Sequence, residues 1–188
     1  MDDFVESFLS PRKFLRGFVD NPAPRWGLWA LFAVIAVVGT WLYGLSFGLV
    51  YTEAGSPLGW AWVVTLAAGA GWLGFMPLVI LAGSKEKAIR LGALHACLLT
   101  MVYGEAILEI GTVLNFIGYW RETLEPARAL KGNLALVAVS NVAMAAAITA
   151  QLHALGQKVL WVLIAWIVVL NGLGAGCFWI LYTGVLVG

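Results

Sequence analysis

Long apolar stretches dominate this chain, and their lengths predict helices that cross a membrane. A helix rises about 1.5 Å per residue, so roughly 20 apolar residues cross a hydrocarbon core of about 30 Å. Five stretches reach that length, and none shows the alternation of apolar and polar residues that barrel strands require. We therefore expect an all-α protein with five transmembrane helices, over residues 26–50, 60–81, 91–119, 133–155 and 159–186.

The third of these stretches is the least regular of the five. It is too long for one upright span and it carries charged residues. It is therefore either a strongly tilted helix or a pair of half-helices that meet near Gly104.

Residues 1–25 predict a cytoplasmic amphipathic leader in front of a bundle that covers residues 26–188. Ser10 and Pro11 are typical of the start of a short helix. In the residues that follow, apolar side chains recur at helical spacing and basic side chains lie on the other side of the helix. A basic, Phe-rich helix beside a span is typical of the membrane interface, the alternative being a helix that packs on neighbouring loops. The predicted contacts with the membrane surface are Arg12, Lys13, Phe14, Arg16 and Phe18.

Composition strengthens the membrane interpretation and excludes several other classes of protein. Of the 188 residues, 62% are hydrophobic and 11% are charged, whereas soluble domains are about 25% charged. The net charge of +1 argues against a nucleic-acid partner. Cys97 and Cys177 both lie in apolar runs, which disfavours a disulfide framework or a thiolate metal site.

The distribution of Lys and Arg predicts the orientation in the membrane. Four lie in the leader, three in the second loop and one in the fourth, against three in the third loop and none in the first. Positive residues concentrate on the cytoplasmic side, so we expect a cytoplasmic N-terminus and a C-terminus outside, in the cell inner membrane. Tryptophans near the span ends, Trp26 and Trp29 among them, predict an interfacial belt.

Two glutamates in the third span are the main candidates for chemistry. Glu105 and Glu109 are one helical turn apart and therefore share a face. At this depth, two carboxylates cost several kcal/mol unless they are protonated, paired or hydrated. Three interpretations stay open, namely a proton or cation relay, a hydrogen-bonded polar core with residues of the fourth or fifth span, and a contact with another subunit. The candidate intramembrane polar residues are His95, Glu105, Glu109, Asn141 and His153.

The sequence predicts neither a metal site nor catalysis. Di-metal sites in helical bundles use a Glu-x-x-His spacing, which His95 and His153 do not have. The nucleophile elbow, the zinc-protease motif and the phosphate-binding loop are also missing. We expect a protein that is not an enzyme, and the sequence assigns no cofactor to it.

Residues 8–22, FLSPRKFLRGFVDNP, resemble the leader of bacterial YIP-domain (Ypt/Rab-interacting-protein-like) proteins. In that family a Ser-Pro-Arg, a Phe and a later Asn-Pro or similar precede the first span. The five-span layout and the loop at Gly83-Ser84-Lys85 are similar as well. The resemblance implies a multi-pass membrane protein of a family tied in eukaryotes to Rab GTPases and vesicle traffic. It implies no catalytic residues.

Two functions are compatible with these patterns. The first is a non-enzymatic scaffold or accessory subunit that binds other membrane proteins or organises the lipid bilayer, alone as a homo-oligomer or with membrane-protein partners. The second is a component of proton- or cation-coupled transport, or of a channel, that uses Glu105 and Glu109.

Overall fold

The computed structural model describes residues 2–52, 86–121 and 126–156, and this part of the chain is helical without a strand. The predicted spans over 60–81 and 159–186 lie outside the described residues. The all-α prediction is confirmed for the described ranges. Their helices are α1 (Asp2–Leu9), α2 (Pro11–Asp20), α3 (Trp26–Thr52), α4 (Lys87–Trp120) and α5 (Pro126–Ala154).

Three of the five helices are long and apolar enough to cross a membrane. The qualifying segments are Trp26–Ser46, Lys87–Gly118 and Lys131–Ala154, which match the first, third and fourth predicted spans. They indicate a membrane protein. Helix α4 is a single helix of 34 residues that continues through Gly104, so the alternative of two half-helices is wrong.

Hydrogen bonds between the long helices define their directions. Trp29 bonds to His95 and Ser46 bonds to Asn115, so residue numbers rise together along α3 and α4, and these two helices are parallel. Helix α5 is antiparallel to α4, because its Gln151 meets Thr100 whereas its early residue Asn133 meets Asn115. We call the two ends of this three-helix unit the His95 end and the Asn115 end.

The first two helices form a hairpin that packs on the long helices at the His95 end. Phe14, Leu15 and Phe18 of α2 are buried. The Phe8 ring of α1 meets Tyr103 edge-on with ring centroids 5.5 Å apart, and the Tyr103 hydroxyl donates to the Phe8 carbonyl oxygen. Protein therefore covers the buried side chains of α2, whereas Val5, Leu9 and Val19 of the hairpin are exposed.

This packing corrects part of the predicted membrane-surface contact. Phe14 and Phe18 are only 7% and 2% exposed, because their rings pack against the long helices and not against lipid headgroups. The predicted surface contacts of these two residues are therefore wrong. Arg12, Lys13 and Arg16 do lie on the exposed side of α2, and their membrane contact stays a prediction.

Close approach between α4 and its neighbours depends on glycine. A Cβ atom on Gly111 would lie 2.9 Å from Leu136 Cδ1 of α5 and 3.0 Å from Tyr43 Cε2 of α3. Because lipid provides no hydrophobic drive between helices, such small residues allow the van der Waals contact that holds membrane bundles together.

We expect Gly111→Ala to destabilise the bundle by about 1 kcal/mol, since an overpacking cost of about 1–3 kcal/mol exceeds a gain in helix propensity of about 1 kcal/mol. The matched control is Gly132→Ala in α5, where an added Cβ meets nothing within 4 Å and the propensity gain stands alone. The free energy of unfolding in mixed micelles measures both. Equal stabilities of the two variants would contradict the tight packing at Gly111.

Candidate functional site

The carboxyl group of Glu105 is buried between α3 and α4. Its side chain is 8% exposed, and the Thr40 hydroxyl of α3 donates to Oε1 at 2.6 Å. The other oxygen, Oε2, is buried without a hydrogen-bond partner in the described structure. Gly39 makes room for it, because a Cβ atom there would lie 3.0 Å from Oε2. The adjacent residues Gly39 and Thr40 thus shape the space in which this carboxyl group sits.

Glu109 lies one turn further along α4, beside the same point of α3. The Cβ position on Gly39 is 3.4 Å from Glu109 Oε1 and 3.0 Å from Glu105 Oε2, so the two carboxyl groups flank Gly39. Glu109 is less buried than Glu105 and lines an open groove on the outer face of α4. The groove's other lining residues are Ala106, Ile110, Val113 and Leu114.

Beyond the glutamates, buried polar side chains continue to the Asn115 end. Asn115 and Asn133 exchange two amide hydrogen bonds, of 3.1 and 2.9 Å between Nδ2 and Oδ1, and Asn115 Nδ2 also donates to Ser46 Oγ at 3.3 Å. Thr112 is buried between Glu105 and this cluster along α4. We call this line the polar seam; it comprises Thr40, Glu105, Thr112, Asn115, Ser46 and Asn133.

The interface between α3 and α4 is apolar on the other side of Glu105. Leu98 and Val102 precede Glu105 at helical spacing on the same face of α4, and Phe32 and Ala36 precede Thr40 on α3. All four side chains are buried, and they belong to one hydrophobic cluster. We call these four residues the apolar seal.

His95 lies beyond the apolar seal, in an aromatic environment. The Trp29 indole N–H donates to His95 Nδ1 at 3.3 Å, and the rings of Phe14, Phe18 and Phe32 have centroids 4.7 to 5.6 Å from the imidazole. Because Nδ1 accepts, the ring carries its proton on Nε2, a tautomer assigned from the hydrogen-bond geometry. Ten residues of helix, about 15 Å, separate His95 from Glu105, so the structure does not join His95 to the glutamates.

The remaining candidates on α5 also lie apart from the glutamates. Asn141 is half-buried and His153 is exposed, and no hydrogen bond within the described ranges links either to Glu105 or Glu109. The hydrogen-bond partner of Glu105 is instead Thr40, in the first span. Sequence analysis missed Thr40, although a Gly-Thr pair inside an apolar span was a usable signal.

The two tryptophans named for the interfacial belt differ in exposure, and Lys13 of the hairpin forms an ion pair. Trp26 is 71% exposed, and its place in an interfacial belt stays a prediction, whereas Trp29 is 4% exposed and packs in the core, where its indole N–H donates to His95. At the hairpin surface, a hydrogen bond from Lys13 to Glu6, together with the charge of Glu6, raises the pKa of Lys13 above its ordinary value. This ion pair is exposed, so it contributes little to stability.

Within the described ranges, no group of three or more His, Cys, Asp or Glu side chains is placed to hold a metal ion. No protein-family model matches the chain, and no curated protein or solved structure matches it.

Proposed function

We propose that this protein exchanges protons within the membrane, as a transport or channel component in which Glu105 binds the proton and Glu109 assists. The observation that carries the proposal is Oε2 of Glu105, which is buried without a hydrogen-bond partner among the described residues, inside a helix long enough to span the bilayer. Ionisable groups at such positions are costly and typically mark ion pathways or proton relays. In the part of the chain that the structure describes, Thr40 is the hydrogen-bond partner of this carboxyl group, and its second oxygen is available to take up and release a proton.

A proton suits this site better than a metal cation does. Hard cations such as Ca²⁺ and Mg²⁺ require about six or more oxygen ligands, held at short and regular distances. The described residues around Oε2 of Glu105 offer mainly the Glu109 carboxyl group across Gly39. One carboxyl group binds a proton without a further ligand, and the neighbouring Glu109 carboxyl group is the acceptor to which Glu105 can pass it.

We further propose five spans with a cytoplasmic His95 end. Helices α3 and α4 are parallel, so if both cross the membrane, the chain between them has to return across it, as a span over 60–81 would do. The leader, the second loop and the fourth loop, which carry most Lys and Arg residues, would then share the His95 end. This distribution supports a cytoplasmic N-terminus, a C-terminus outside and the cell inner membrane.

Proton uptake by reconstituted vesicles tests the proposed function. We expect vesicles that hold the purified protein to acidify when a potassium diffusion potential draws protons inward, with a pH-sensitive dye inside as the readout. Protein-free vesicles and the Glu105→Gln variant are the controls. Absence of uptake at every pH, with the potential in either direction, would rule out the proton-exchange function.

A second candidate function is a membrane scaffold or accessory subunit. The outer face of the hairpin favours it, because Arg12, Arg16 and the 57% exposed Val19 lie together on α2, and Val5 and Leu9 of α1 are exposed as well. Cations beside apolar side chains suit a surface of anionic lipid headgroups. The resemblance of residues 8–22 to the YIP-domain leader supports the same interpretation.

Extraction from native membranes in mild detergent, followed by mass spectrometry, tests the scaffold function. An accessory subunit is expected to retain membrane-protein partners at fixed stoichiometry and to lose them when residues 2–19 are deleted. Purification of the full chain alone, as a monomer or homo-oligomer, would contradict the accessory role.

A further inference from the structure

The two halves of the interface between α3 and α4 differ sharply in polarity around Glu105. From Glu105 toward the Asn115 end, the buried side chains of the polar seam carry hydroxyl and amide groups, and several of these groups bond to one another. Toward the His95 end lies the apolar seal between α3 and α4, in which no side chain has a hydrogen-bonding atom; the buried hydrogen bond from Gln151 to Thr100 on that side joins α5 to α4. Protons move along chains of hydrogen-bonding groups and water, which an apolar contact excludes.

We infer that in the conformation that the structure describes Glu105 exchanges its proton only with the side of the Asn115 end, so that uptake across the membrane requires a second conformation in which the apolar seal opens. This inference rests on the proposed function, because it specifies the access to the same carboxyl group. The N-terminal hairpin covers the closed side as well, since Phe14 and Phe18 of α2 cap the region where Phe32 meets His95.

Among the described residues, few titratable groups lie near Glu105, so few of them influence its protonation. On its own helix, Glu109 lies one turn away beside the same Gly39, and Tyr103, two residues before Glu105, donates its hydroxyl to the hairpin at Phe8. Helix α3 has no acidic, basic or histidine residue between Trp26 and Thr52, and its described titratable side chain is Tyr43. On α5, the Ser140 hydroxyl donates to the carbonyl of Gly104, the residue before Glu105. Lys131 and His153 lie toward opposite ends of α5, away from Ser140.

Labelling by a hydrophobic carbodiimide tests the sidedness of access. The reagent dissolves in the bilayer and reacts with a protonated carboxyl group, so labelling of Glu105, located by mass spectrometry, reports its protonation. Wild-type protein is reconstituted into vesicles whose inner and outer pH are set independently. The orientation comes from a Leu9→Cys variant, since Leu9 is 79% exposed at the hairpin, with an impermeant maleimide as the probe and wild-type protein as background.

We expect labelling of Glu105 to follow the pH on the Asn115 side in each orientation and to ignore the pH on the His95 side. Labelling that follows the His95 side, or both sides equally, would overturn one-sided access while leaving proton exchange intact. A failure of Glu105 to react at any pH would overturn both the inference and the proposed function.

A matched pair of threonine variants tests the path itself. Thr112→Val is expected to slow the response of Glu105 to a pH jump on the Asn115 side by about fivefold, the factor that corresponds to about one buried hydrogen bond. Thr149→Val is the control, because both hydroxyls donate to the carbonyl four residues earlier but Thr149 lies on α5, outside the polar seam. Equal response rates in the two variants would overturn the assigned path.

Discussion

Replacing Glu105 with glutamine is expected to reduce proton uptake by reconstituted vesicles about tenfold or more, the equivalent of at least about 1.4 kcal/mol in barrier height. Glutamine has nearly the same shape, and its amide oxygen still accepts the hydrogen bond from Thr40. It cannot release a proton at any accessible pH. The substitution therefore removes the acid–base function and retains the packing, and the dye assay in vesicles measures the difference.

The control for Glu105→Gln is Glu86→Gln, which makes the same chemical change at an exposed residue just before α4. We expect this control to retain the wild-type uptake rate. The free energy of unfolding of Glu105→Gln should stay within about 1 kcal/mol of the wild-type value, since one hydrogen bond is altered and none is lost. Full uptake by a folded Glu105→Gln protein would show that this carboxyl group does not carry the proton.

The three described spans were predictable because lipid imposes a simple length requirement on apolar segments. The ends of the helices were harder to predict where a helix continues beyond its apolar part. Helix α5 begins at Pro126, seven residues before the predicted span at 133, and its first turns include Arg128 and Lys131. Hydropathy identifies only the apolar segment that can lie in lipid. The helix itself is longer, because backbone hydrogen bonds continue into the neighbouring polar residues.

The site was predictable only in part. Glu105 and Glu109 stand out because carboxylates are rare in apolar spans, and their spacing fixes a shared face. The Gly-Thr pair in the first span marked a polar position, but its pairing with Glu105 was not predictable, because single-sequence patterns do not say which helices pack together or in which direction. The parallel arrangement of α3 and α4 brings Thr40 to Glu105, and no periodicity within either helix encodes that pairing.

In the hairpin, too, the sequence pattern predicted the local structure but not the tertiary contacts. Helical spacing correctly separated Phe14 and Phe18 from Arg12 and Arg16 on opposite sides of α2. An amphipathic pattern identifies which face is apolar, but it does not specify whether lipid or protein covers that face. Here the space beside His95 and Trp29 accommodates the two phenyl rings, so protein covers them.

Substituting Asn115 with leucine is expected to lower the free energy of unfolding by about 2–3 kcal/mol, near the upper end of the cost of breaking buried hydrogen bonds. The change removes both amide bonds that Asn115 exchanges with Asn133 and a third to Ser46. It also brings an apolar side chain of similar size against Asn133 and Ser46, which are only 4% and 1% exposed. Denaturation in mixed micelles measures the loss.

A double-mutant cycle separates the amide pair from general disruption. We expect Asn115→Leu with Asn133→Leu to cost less than the sum of the two single variants by about 1 kcal/mol, since polar couplings in membrane bundles average about 0.6 and reach about 1.7 kcal/mol. Asn141→Leu is the matched control, because Asn141 is half-buried on α5 and makes no hydrogen bond to α4 in the described structure. Additive costs in the cycle would mean that the Asn115–Asn133 pair does not hold α4 and α5 together. The close contact between Gly111 of α4 and Leu136 of α5 would then be the interaction that aligns the two helices.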